Sequence, residues 1–149
     1  MSTPKMPILV LALALSAGLL GLAAPARAQT APEPLNCPVL ELQGVKPGEG
    51  RLRIAVYGSA ESFNKKPVFS VTVAAPAAST YRLGLCGVTS PEAAVTLFQD
   101  TNDNGKMDTN VIGIPSEPWG ASGRPVMGPP SWDAAKVAVN GQPIVIKLN

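Results

Sequence analysis

The feature that most limits what this chain can fold into is a period of two. Apolar residues stand in short alternating runs: Leu40 and Leu42; Leu52, Ile54 and Val56; Phe69, Val71 and Val73; Tyr81, Leu83 and Leu85. The run Ala93 to Phe98 follows, then Val137 and Val139, and last Ile144, Ile146 and Leu148. A strand turns successive side chains to opposite faces, so each run buries one face and leaves the other to solvent. Between the runs lie Lys46-Pro47-Gly48-Glu49-Gly50, Ala75-Pro76, Thr89-Ser90-Pro91 and Asn140-Gly141, all turn chemistry. Asn140-Gly141 between two alternating runs predicts a hairpin. The one helix-like stretch is short, Ser59 to Asn64. The pattern predicts an all-β fold, a seven-stranded antiparallel immunoglobulin-like or transthyretin-like sandwich with one long ordered loop. A small closed barrel is the alternative. The 14 Gly and 16 Pro in 149 residues argue against a helical bundle, and the length suits one domain.

The N-terminal segment follows a different rule. Lys5, the apolar run Ile8 to Ala24 and Ala26-Arg27-Ala28 read as a secretory signal peptide over residues 1–28, cut before Gln29. No cysteine closes the run, which removes the signal for a lipid anchor. Residues 29–36 are a Pro-rich, flexible lead-in, and residues 37–149 the domain. Lys5 and Arg27 leave with the leader, so 10 of the 12 basic residues remain against 10 acidic ones. A neutral mature chain has no footprint for nucleic acid and no basic patch for an acidic membrane. The expected location is the periplasm or the exterior.

In that compartment Cys37 and Cys86 read as a disulfide. It would close a loop of about 50 residues, worth about 4 kcal/mol through chain entropy. Two free thiols or a redox pair are the other readings, although no CxxC motif occurs. Parity puts Cys86 on the face of Arg82, away from the core.

The chain has no histidine. Imidazole metal sites, a Ser–His–Asp triad and imidazole proton transfer are excluded. Ser122 in Gly120-Ala121-Ser122-Gly123 lacks the second glycine of a nucleophile elbow, because Arg124 stands there, and it has no base. It reads as a structural serine.

The informative segment is Thr101 to Asp133, which lacks strand periodicity and holds both tryptophans. Segments of this length in a small domain are functional or disordered, and Ile112, Ile114, Trp119, Met127 and Trp132 give it apolar groups to pack down. An ordered flap is expected. Asp100, Asn102, Asn104 and Asp108 occupy the first, third, fifth and ninth places of a calcium loop of EF-hand type, with Gly105 at the sixth. Lys106 would add its backbone carbonyl. Place twelve is Val111 rather than the closing Glu, so Glu117 is the nearest substitute. The competing reading is an Asx-rich turn held by its own hydrogen bonds. Asp108 and Glu117 are also the one pair of loop carboxylates that a hydrolase could use. Trp119 and Trp132 could form a platform for a sugar or an apolar ligand, with Arg124 stacking beside them or pairing with Glu117. Packing of the loop is their other role.

The segment from Phe98 through Asn110, then Gly113-Ile114-Pro115-Ser116-Glu117 and Gly128-Pro129-Pro130-Ser131-Trp132, resembles the signature of a bacterial exported family, domain of unknown function 2141. The resemblance spans Gly50 to Asn149 and implies a signal-bearing envelope protein with a β-sandwich. It transfers no activity. Gln99 stands where members often carry His, and Trp119 and Trp132 where Phe or Tyr is common.

The functional expectation is a non-catalytic exported module with calcium as its one candidate cofactor. Its partner would be a protein or small ligand of the envelope, met through Trp119, Arg124 and Trp132. A hydrolase using Asp108 and Glu117, or a purely structural module, are the other readings.

Overall fold

The computed structural model describes residues 37–124 and 128–149. The expected leader, the lead-in of residues 29–36 and the loop anchor Met127 lie outside the described residues. Eight strands and one helical turn are present among them: β1 (Val39–Gln43), β2 (Arg51–Tyr57), β3 (Phe69–Ala74), β4 (Thr80–Gly84), β5 (Glu92–Asp100), β6 (Trp119–Ala121), α1 (Trp132–Ala135), β7 (Lys136–Ala138) and β8 (Ile144–Lys147). Two sheets result. One has the order β4-β1-β8; the other runs β3-β2-β5-β6, with β7 also on β5. β6 and β7 share one edge of β5, opposite Thr96–Phe98 and Glu92–Ala94 respectively.

The all-β, two-sheet expectation holds, and three details change. There are eight strands rather than seven, because β6 forms inside the segment read as loop. Its inward position is Gly120, so no apolar alternation marks it. The sandwich is not wholly antiparallel, since β1 and β8 pair in parallel, with Leu40 opposite Ile144 and Leu42 opposite Ile146. Nor does Asn140-Gly141 close a hairpin. It carries the chain from β7 in one sheet to β8 in the other. Asn140 Oδ1 accepts from the Gln142 amide at 3.2 Å, and Pro143 has no amide with which to start a ladder. The two sheets do not merge into a barrel.

Parity builds the core. Leu40, Leu42, Ile144 and Ile146 come from one sheet and Leu52, Ile54, Val56, Val95 and Leu97 from the other, and all pack in one buried cluster. Phe69, Val71, Val73, Tyr81 and Leu83 close its margins. The predicted helix at Ser59–Asn64 is instead a turn. Ser59 and Ser62 hydrogen-bond each other there and so compete with helical bonding. The turn delivers Phe63 edge-on to Tyr57 and Trp132, at centroid distances of 5.1 and 6.1 Å. Cys37 and Cys86 form the disulfide, joining the start of β1 to the turn after β4 outside the core.

Candidate functional site

The loop after β5 begins with a carboxylate taken out of water. Asp100 is the last residue of β5 and its side chain is fully buried. Arg53 Nε on the neighbouring strand donates to its Oδ2 at 2.6 Å, the Gly105 amide to the same oxygen at 2.8 Å and the Asn104 amide to Oδ1 at 3.0 Å. Burial pushes this carboxyl up, but the Arg53 guanidinium and the two amides outweigh it and hold it below the usual carboxylate range. Gly105 has φ 83°, the left-handed conformation the reversal requires. Asp103, at φ 56°, accepts from Arg51 Nε at 3.0 Å and from an Arg53 Nη at 3.5 Å. Two arginines thus face two aspartates at the mouth of the turn.

The remaining oxygen groups bond within the loop. Asn102 Nδ2 donates to Asp108 at 2.7 Å, and Asn104 Nδ2 donates to both Asp108 oxygens at 3.0 and 3.1 Å. Asn104 Oδ1 accepts from the Lys106 amide at 2.8 Å. Glu117 is buried; its Oε1 accepts from the amide and hydroxyl of Thr101 at 2.7 and 3.1 Å, and its Oε2 from the Asp108 amide at 3.1 Å. Glu117 therefore closes the loop through amides rather than by pairing with Arg124, which is exposed. Asp108 and Glu117 are engaged inside the loop, and neither lines the cleft described below. No group of three or more His, Cys, Asp or Glu side chains able to hold a metal occurs among the described residues.

Two further polar side chains are buried for structural reasons. Gln99 accepts from the Lys46 amide at 2.9 Å and donates to the Lys46 and Glu49 carbonyls at 2.7 Å each. It clasps the β1–β2 turn. Ser122 Oγ accepts from the Val95 amide at 2.8 Å and donates to the Ala135 carbonyl at 2.5 Å. It stitches the end of β6 to β5 and α1, in keeping with the structural reading of this serine.

A concave feature lies on the outer face of the larger sheet. A cleft of about 890 Å³ runs across it, with Arg53, Ala55, Thr72, Thr96, Phe98 and Trp119 in its floor. Met107, Ile114, Pro115, Pro129 and Pro130 also line it. Register places Thr72, Arg53, Phe98 and Trp119 directly opposite one another on four successive strands. Gly120 faces inward, where a Cβ would come within 2.7 Å of Ile146 Cγ2, so Trp119 must face out. The hairpin above, pinned by the Thr109–Pro115 bridge and by Asn110, lifts Val111 and Ile112 into solvent.

The three expected ligand residues are thereby separated. Trp119 lines the cleft, Trp132 packs on Phe63 in a small second cluster with Tyr57, Ala94 and Ala135, and Arg124 lies outside the cleft. Arg53, Phe98 and Thr72 escaped the sequence reading as site residues. Their signal was present: Val95 and Leu97 face inward, so Thr96 and Phe98 face outward.

Neither a curated protein nor a solved structure matches the chain. The family model described as "Uncharacterized protein conserved in bacteria (DUF2141)" matches residues 40–147, from the second residue of β1 to the last of β8 with the whole Asp100 loop, and the chain belongs to that family.

Proposed function

We propose that this protein is a non-catalytic, exported binding module that takes its ligand in the cleft over the β3-β2-β5-β6 sheet. The observation that carries the reading is the placement of Phe98 and Trp119 side by side on an outer sheet face that the Asp100 loop walls. Pockets of this size with aromatic walls and a few polar groups are the usual form of a ligand site. Export is supported by the leader-like N-terminus and by the disulfide. No helix among the described residues is long and apolar enough to cross a membrane. The hydrolase reading draws no support from Asp108 and Glu117, whose oxygens are engaged by Asn102, Asn104, Thr101 and the Asp108 amide. The test is titration of the oxidised chain with the neutral fluorescent probe N-phenyl-1-naphthylamine. Saturable binding that is lost in Trp119→Ala and kept in Trp132→Phe supports the cleft. Binding that ignores Trp119 overturns it.

A second reading keeps calcium as the clamp of the loop, with Asp100, Asn102, Asn104, Asp108, the Lys106 carbonyl and Glu117 as ligands. It is favoured by the convergence of Asn102 and Asn104 on Asp108 within 3.1 Å. Turning the two amides over would present oxygens in place of nitrogens. Binding to the folded state alone stabilises by about 2.7 kcal/mol at a hundredfold excess over Kd. Thermal unfolding with calcium and with a chelator tests it. A shift of several degrees lost in Asp108→Ala supports calcium; no shift at millimolar calcium leaves the hydrogen-bonded turn.

A further inference from the structure

We infer that the cleft takes a neutral glycan, an inference that rests on the cleft reading above. The argument is the composition of its floor. Thr72, Arg53, Phe98 and Trp119 form one cross-strand row, and Ser70, Ala55 and Thr96 form the next. Strands are about 4.8 Å apart, so the first row is about 14 Å long, enough for a short oligosaccharide lying across the strands. Half of that row is aromatic surface and half is hydrogen-bonding groups. A fatty acyl chain would cover the hydroxyls and the guanidinium without offering them a partner, which costs free energy. An extended peptide adding to a sheet needs an open strand edge, and a sheet face has none to give. A pyranose ring meets both requirements. Its C–H face stacks on an indole or phenyl ring, while its hydroxyls donate to and accept from Thr and Ser and accept from Arg.

Charge narrows the class. Arg53 is matched by Asp100 at 2.6 Å and Asp103 at 3.5 Å, and Arg51 by Asp103 at 3.0 Å. Two cations against two anions leave no net charge to select an acidic sugar. Arg53 has five N–H donors, more than it gives to these aspartates, and its side chain is 30% exposed in the cleft floor. The carboxylates hold the guanidinium in place, so a glycan hydroxyl meets a donor already oriented.

The experiment is isothermal titration calorimetry of the oxidised chain with cellohexaose, xylohexaose, laminarihexaose, chitohexaose and hexagalacturonic acid. N-phenyl-1-naphthylamine binding is measured in parallel. At least one neutral hexaose is expected to bind. Its affinity should fall more than tenfold in Trp119→Ala, with Phe98→Ala as the second variant should the first not fold, and severalfold in Thr72→Val. Trp132→Phe should bind as the parent does. Probe binding without binding of any hexaose overturns the glycan and leaves the cleft reading standing. Failure of both overturns both. Preference for the acidic hexaose overturns the neutral class.

Discussion

The two sheets are built by the same alternation, yet their outer faces differ. On the β4-β1-β8 sheet the outward rows are Arg82, Glu41 and Val145, then Thr80, Gln43 and Lys147. Glu41 meets Arg82 at 3.7 Å, and this face is a conventional solvated surface. On the larger sheet the outward rows carry Phe98, Trp119 and Ala55, and the loops wall them into a cleft. The inner faces have the same task, so inner packing does not distinguish the sheets. The difference on the outside teaches that the smaller sheet presents an ordinary solvated surface, while the larger one presents the cleft proposed as the site.

The strongest way to break that division is to open the disulfide, which belongs to the smaller sheet alone. Reduction, or Cys37→Ser with Cys86→Ser, is expected to cost about 4 kcal/mol. At about 4 °C per kcal/mol this lowers the Tm by roughly 15 °C in a calorimetric scan. Below the new transition the probe affinity of the cleft should be unchanged, and a change would show that the two sheets are coupled.

Coupling is expected instead at Gly120, where β6 passes over Ile146 of the smaller sheet. The Asn149 amide also donates to the Trp119 carbonyl at 3.0 Å, tying the chain after β8 to the aromatic strand. Gly120→Val should destabilise by about 1–3 kcal/mol through overpacking. It should weaken probe binding at the same time, as measured by denaturant titration and fluorescence.

A comparison by pH separates the faces next. The Asp100 carboxyl is held below its ordinary value in the folded chain, because against the upward push of burial stand the Arg53 guanidinium and two amides. Its stabilisation is fully present above the unfolded carboxylate value of about 3.9 and is lost as pH falls through the lower folded value. Thermal scans between pH 6 and 2 should show an acid limb that flattens in Asp100→Asn. Trp119→Ala should come next, with a stability loss below that of Trp132→Ala, because Trp132 packs on Phe63 while Trp119 faces the cleft. Smallest is Glu41→Gln, which removes an ion pair whose side chains are 42% and 30% exposed. Exposed pairs are worth about 0–1 kcal/mol, so its unfolding midpoint should barely move.

Most of the strand set was legible because alternation is local: β1, β2, β5 and β8 follow runs that supply the buried core, and β3, β4 and β7 follow runs whose partly buried apolar residues pack against it. The disulfide was legible from the expected compartment and the cysteine count, and the Asx character of residues 100–108 from its side chains. Trp119-Gly120-Ala121 was not legible as a strand, because the buried position is a glycine selected by the nearness of Ile146. The helical turn at Trp132 was hidden for a similar reason. Four residues carry no periodicity, and the turn is made by Ser131, whose hydroxyl accepts from the Ala134 amide at 3.3 Å.

The sequence by itself determined which face of each alternating run is buried, that two cysteines would pair, and where the polar turn would form. The faces and the turn depend on chemistry within a few residues of the chain, and the pairing on there being two cysteines. Tertiary structure alone decided that β8 returns to lie parallel to β1, so that Asn140-Gly141 crosses between sheets instead of closing a hairpin. It also decided that Trp119 and Trp132, thirteen residues apart in sequence, part company, one to the cleft and one to Phe63. Both outcomes depend on which distant strands share a ladder. An alternating run can satisfy its buried face in either sheet, so only the packing of all the strands together selects one.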